Sequence, residues 1–146
     1  MIRTRRRLAH RQSLLSLPGR AIPRDCSTNL EQEFHRQVAD YLALALNPAT
    51  TTWTTFPLGG GGHTRGAILS GLGVRPGWPD IQIIHLGRFY GIELKAPGGT
   101  LSADQIACHA AIRQAGGGVQ TATADDIWGV LQALNGFGIP TRARPT

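Results

Sequence analysis

The sequence predicts an α/β fold, with a mixed β-sheet flanked by helices in three layers. Three observations lead there. Apolar residues recur at helical spacing in separate segments near residues 30–46, 102–115 and 125–134. Two short runs, Ile81 to Leu86 and Phe89 to Lys95, alternate with period two on either side of Gly87-Arg88. Helical and strand-like segments alternate along the chain, which is the pattern of helices layered on a sheet.

The first helix is expected over Thr28 to Leu46. Leu30, Phe34, Val38, Tyr41, Leu42 and Ala45 form its stripe, and Thr28-Asn29-Leu30-Glu31 matches a capping box. Asn47-Pro48 ends it. Thr51 to Phe56 is β-branched and aromatic and reads as a strand. Four glycines at 59–62 follow, with no Gly-Lys-Ser/Thr, so this is not a P-loop. It is either a plain surface loop or a backbone able to approach phosphate closely. A short helix over Thr64 to Leu72 would close at Gly73.

Gly-X between β-rich runs signals a two-residue hairpin turn. With Gly87-Arg88 as that turn, Leu86 faces Phe89, Ile84 faces Gly91, Gln82 faces Glu93 and Asp80 faces Lys95. One face then carries Ile81, Ile83, His85, Tyr90, Ile92 and Leu94, and the other Asp80, Gln82, Glu93 and Lys95. Asp80 and Glu93 become diagonal neighbours, roughly 7–8 Å apart. Both carboxylates could then reach one hard cation of the kind that oxygen ligands suit. An Asp80–Lys95 ion pair on a solvated face is the competing account.

Ser102 to Ala115 reads as a helix opened by a second capping box, Ser102-Ala103-Asp104-Gln105, and ended by Gly116 to Gly118. His109 and Arg113, four apart, would form a solvated polar strip. Val119 to Ala122 reads as the last strand. Thr123 then caps a helix over Asp125 to Leu134, with acids in its first turn.

Length and composition bound the rest. A chain of 146 residues with 41% hydrophobic content supports one domain with its own core. No apolar run nears the ~18 residues a membrane span needs. The net charge of +6 resides in residues 1–27, which hold seven arginines and one acid. That tail is expected to be disordered and to contact a polyanion, and its composition equally suits an organellar transit peptide. Residues 135–146 read as a flexible Gly/Pro/Arg tail. Cys26 and Cys108 have no metal-ligand spacing, and free thiols in a reducing cytoplasm are the expectation.

Pro79-Asp80 followed by Glu93-Leu94-Lys95 resembles the PD-(D/E)xK nuclease signature. Gly77-Trp78-Pro79-Asp80 with Ile92-Glu93-Leu94-Lys95 is similar to the VRR-NUC branch, and the likeness extends over about residues 28–134. The resemblance implies a restriction-endonuclease-like core and metal-dependent hydrolysis of phosphodiester bonds in DNA, including branched or junction DNA. It implies Asp80 and Glu93 as ligands of Mg²⁺ or Mn²⁺, with the Leu94 backbone carbonyl as a further ligand. Lys95 would position water or stabilise transition-state charge.

Glu-x-x-Phe-His in the first helix resembles the family's helix carboxylate, a role that falls on Glu31 more readily than on Glu33. The stretch from Lys95 through Leu101-Ser102 to Gln105 is similar to the family's K…LS…Q, which sets Gln105 near the active centre; capping is its other account. His63 and Arg65 lie in a stretch similar to the family's Gly-Gly-x-x-Arg, and with Arg75 they are the candidate nucleic-acid contacts. Small members of the family pair as homodimers, which is the expectation here. Two other classes stay open: a non-catalytic nucleic-acid-binding module that keeps the nuclease fold, and a structural adaptor in which Asp80 and Lys95 merely pair.

Overall fold

The computed structural model describes residues 24–56 and 71–142, with residues 24–31 as backbone only. Residues 64–70 of the expected helix over 64–72 and the N-terminal tail up to residue 23 lie outside the described residues; Gly71 is helical and a turn follows at Leu72-Gly73. The order is α1 (Arg24–Ala45), β1 (Thr51–Thr55), β2 (Ile81–His85), β3 (Arg88–Lys95), α2 (Ala103–Gln114), β4 (Gly118–Thr123) and α3 (Ile127–Gly136). Among the described residues the sheet has four strands in the order β1-β2-β3-β4. The first two pairings are antiparallel and β3–β4 is parallel. The fold is thus α/β with a mixed sheet flanked by helices.

α1 begins four residues before the expected Thr28, so Thr28 and Glu31 lie inside the helix and do not form a cap at its start. No glycine or proline separates Pro23 from Thr28, so nothing in the local sequence stops the helix from reaching back to the proline. Val38, Tyr41, Leu42 and Ala45 supply its buried stripe. After the helix ends, the Asn47 side chain accepts from the Ala49 N–H at 3.1 Å.

The hairpin forms with a different turn. Leu86 and Gly87 occupy it, with φ of 48° and 79°. Positive φ at both central positions is the type I′ arrangement that matches strand twist. The turn sits one residue earlier than Gly87-Arg88, so the register moves by two: Ile81 pairs with Ile92, Ile83 with Tyr90 and Gln82 with Gly91. An even shift preserves the faces, whereas a shift of one would have inverted them. Arg88 thereby enters β3. There its Nε donates to the Gly116 carbonyl at 2.7 Å and its guanidinium lies 5.3 Å from the Tyr90 ring centroid.

One face of the sheet presents Ile81, Ile83, Tyr90, Ile92 and Ala122, and α1 and α3 cover it to form the main core. The other face packs Val119 and Phe89 against Cys108 and Ile112 of α2, with Trp78 alongside. Over β1 and β2 this second face has no helix on it among the described residues, and Ile84 stays exposed. Cys108 is a buried free thiol. No helix among the described residues is long and apolar enough to cross a membrane.

Two end-of-element expectations change. Asp126, rather than Thr123, caps α3, accepting from the Gly129 N–H at 3.2 Å; Thr123 instead stays in β4 beside Lys95. The segment expected as a flexible tail from residue 135 starts inside α3 and stays packed through Arg142. Ile139 is 1% exposed within the main core. The Arg142 backbone N–H donates to the Ala45 carbonyl at 2.8 Å and its Nη2 to the Leu46 carbonyl at 2.6 Å. A lone isoleucine in a Gly/Pro-rich stretch carries no periodicity that could have marked it as core.

Ile139→Ala should therefore cost about 2–5 kcal/mol of folding stability, as for other buried aliphatic truncations. Urea denaturation checks this; a change within experimental scatter would mean the segment is not part of the core.

Candidate functional site

The corner at residues 77–80 seats the site. Gly77 has φ 77°, and a Cβ there would overlap the backbone of Asp104 and Gln105 at the start of α2. Pro79 is buried against Gly91 of β3, where a Cβ would meet its ring at 2.6 Å. Both glycines are thus demanded by close approach. They clamp the corner between β3 and α2, immediately ahead of Asp80.

Asp80 Oδ2 accepts the Leu94 N–H at 2.8 Å, closing the β2–β3 ladder. Carried one step past Ile81–Ile92, the register sets Asp80 level with Glu93. The expected alignment of Asp80 with Lys95, and the diagonal relation of Asp80 to Glu93, are both corrected by the earlier turn. All three side chains keep the same face, because the shift is even.

Glu93 is 2% exposed. Its Oε1 accepts from Gln105 Nε2 in a short hydrogen bond and lies 3.1 Å from Lys95 Nζ. Lys95 Nζ also donates to Gln105 Oε1 at 2.7 Å. The same Gln105 oxygen accepts the Ser102 backbone N–H at 2.9 Å, while the Ser102 hydroxyl accepts from the Gln105 N–H at 3.3 Å. Gln105 therefore completes a capping box and joins the carboxylate to the lysine. The capping account of Gln105 holds, and the same side chain also contacts Glu93 and Lys95.

Burial pushes the Glu93 carboxyl above its ordinary range. The charge of Asp80 adds to the rise, and the hydrogen bond and charge of Lys95 partly offset it. Glu93 Oε2 has no hydrogen-bond partner among the described residues. Facing it at 3.9 Å is Nε2 of His109, a ring 1% exposed whose two nitrogens have no hydrogen-bond partner among the described residues. That separation is too long for a hydrogen bond. Burial, with Arg113 and Lys95 behind it, holds the His109 pKa below its ordinary value, so the ring is neutral near pH 7 and the contact is not an ion pair.

His109 was expected on a solvated strip with Arg113. The structure turns it inward, and Arg113 instead donates to the Val119 carbonyl at 2.9 Å. The signal that could have found it is its i,i+4 spacing from Gln105, which sets the two on one helix face.

Glu31 lies on α1, the helix of the opposite, apolar face, and its side chain lies outside the described residues. Glu33 is exposed and pairs with Arg36 at 3.1 Å. His63 and Arg65 lie outside the described residues. Arg75 is exposed at a cleft of about 350 Å³ that it shares with Phe56, Trp78 and Gln82.

Among the described residues no group of three or more His, Cys, Asp or Glu side chains has metal-holding geometry. Two carboxylates are nonetheless a donor set that fits magnesium, which keeps several waters and takes few protein ligands. The unpartnered Glu93 oxygen, and the mutual repulsion of Glu93 and Asp80, suit a shared cation. No family model, curated protein or solved structure matches the chain at a significant level. A functional reading therefore rests on the residues of the site.

The pH profile of stability tests the buried ring. Below the ordinary imidazole value of 6.5 the unfolded chain takes up a proton that folded His109 refuses, so stability falls as pH drops through that value. His109→Leu should flatten this decline, followed by urea denaturation across about pH 5 to 8. Superimposable profiles for the two proteins would exclude a buried neutral histidine.

Proposed function

We propose that the chain is a metal-dependent nuclease that hydrolyses phosphodiester bonds in DNA at the Asp80, Glu93 and Lys95 face of the hairpin. The observation that carries the reading is the buried Glu93 carboxylate. It is raised in pKa beside a second carboxylate, and Gln105 joins it to a lysine. Perturbed carboxylates of this kind cluster at functional sites. Further support comes from the likeness of Pro79-Asp80 and Glu93-Leu94-Lys95 to the PD-(D/E)xK signature, and of their context to its VRR-NUC branch. The mixed sheet with helices on both faces is compatible with the restriction-endonuclease-like core of that superfamily.

In this reading Asp80 and Glu93 hold Mg²⁺ or Mn²⁺, with the Leu94 carbonyl as a further ligand. A bound ion would neutralise charge at the scissile phosphate and lower the pKa of a water, so that it could ionise to a nucleophile. The chain's own residues do the rest. Asp80 is steadied by the Leu94 N–H. Lys95 is steadied by Gln105 Oε1, so its ammonium is aimed before substrate arrives, and it stabilises the charge that develops on the phosphate. Glu93 is hydrogen-bonded at one oxygen only, and its buried Oε2 has no hydrogen-bond partner among the described residues.

The competing reading is a nucleic-acid-binding module without catalysis. The observation in its favour is that Lys95 and Gln105 already engage Glu93 Oε1.

Asp80→Asn and Glu93→Gln should each abolish Mg²⁺-dependent cleavage in a panel of single-stranded, duplex, flap and four-way DNA, with far-UV circular dichroism unchanged. Lys95→Ala should lose most activity yet keep or tighten metal binding, since a competing cation has gone. Parental cleavage by Asp80→Asn would remove the hairpin as catalytic centre.

Thermal stabilisation by Mg²⁺ should grow as pH rises through the raised Glu93 pKa and vanish below it, because the protonated acid is no ligand. Without metal the sign reverses. A raised carboxyl favours the folded state while protonated, so stability declines as pH rises through that pKa, and Glu93→Gln should remove the decline. Differential scanning fluorimetry with and without Mg²⁺ reads both.

A further inference from the structure

The cleft beside the site contains groups that the hydrolytic reading does not use. Phe56, Gly73, Val74, Arg75, Trp78 and Gln82 line its volume of about 350 Å³, within the range of small-molecule pockets. Of these six described residues two are aromatic, one is a cation, one is an amide and none is an acid. Phe56, at the end of β1, is 44% exposed although it is a large apolar residue. Trp78 belongs to the clamped corner and packs on Phe89 with ring centroids 5.6 Å apart. Its position is fixed by the fold and need not be ordered on binding.

Gln82 is on the same sheet face as Asp80 and Glu93, two residues along β2 from Asp80. It also borders a second hollow of about 200 Å³ on the β1–β2 face, which no helix covers among the described residues.

We infer that this cleft takes one unstacked nucleobase of the strand whose phosphate lies at Asp80 and Glu93, so that the substrate is single-stranded or locally splayed DNA. Aromatic rings and an arginine plane suit the π-face that every base presents. The Gln82 amide, donor and acceptor at once, suits a base edge. Arg75 suits an anionic strand, and no carboxylate stands among the described lining residues to cancel it. A paired base within a stacked duplex presents no free face to such a cleft, so entry demands unstacking. The identity of the strand rests on the nuclease reading; the base pocket itself does not.

The test uses the full chain in EDTA, so that no cleavage is required. Binding of a short oligothymidylate, an abasic strand of equal length and a blunt duplex is measured by fluorescence anisotropy at one salt concentration. Oligothymidylate should bind at least about five-fold more tightly than the abasic strand, the lower end of what one stacked base contributes, and more tightly than the duplex. Phe56→Ala should remove that preference while leaving abasic binding and the melting temperature unchanged, and Phe56→Tyr should restore it.

Equal affinity for the abasic strand, or for the blunt duplex, would overturn the proposal. Mg²⁺-dependent cleavage by the parent and by Asp80→Asn is scored separately. Base-dependent binding without cleavage supports the cleft and removes the nuclease reading. Asp80-dependent cleavage with base-independent binding removes the cleft and leaves the nuclease reading in place.

Discussion

Glu93 is buried where β3 meets the first turn of α2, and most of what surrounds it exists to tolerate that carboxylate. A charge taken out of water is costly unless donors replace the solvent. Here Gln105 and Lys95 supply donors to one oxygen, while the other faces a neutral histidine that gives it none. The compensation is deliberately local. Gln105 can reach Glu93 only because Ser102 caps α2 and sets the glutamine at the third helical position, with its side chain folded back. The helix start and the site are therefore one construction, and α2 cannot slide along the sheet without uncovering the charge.

The same seam explains the glycines. Gly77 and Gly91 let the corner before Asp80 press against α2 on one side and β3 on the other. That close approach brings the second carboxylate level with the first, against their repulsion. An arrangement in which like charges converge, one of them buried and half-satisfied, lowers stability for the sake of geometry. Such local cost is what a binding or catalytic centre requires, and it is the physical basis of the hydrolytic reading. The main core is separate, on the far face of the sheet between α1 and α3, so the fold can carry this strain.

The hairpin was legible in outline and misread in detail. Alternation from Ile81 to Lys95 assigned every side chain to its observed face. The local pattern does not fix the turn to one position, because Gly87-Arg88 and Leu86-Gly87 both contain the glycine and both give the same partition. Only the partners available in three dimensions separate them: Gly116 and Tyr90 receive Arg88 when it lies in β3. His109 was missed for a related reason. Its i,i+4 spacing from Gln105 sets the two on one helix face, but only the packing of α2 on the sheet decides that Cys108, His109 and Ile112 form the buried side.

Local sequence by itself determined the existence and type of every described element, the α2 capping box, and the gathering of Asp80, Glu93 and Lys95 on one face. These follow from period, turn chemistry and side-chain alternation, which act over a few residues. The tertiary structure alone decided the register of the hairpin and the burial of Glu93 and His109. It also decided the double duty of Gln105 and the inclusion of Ile139 and Arg142 in the packed domain. Each of those depends on which distant segment arrives as neighbour, and a residue's environment, unlike its conformational preference, is not encoded within its own stretch of chain.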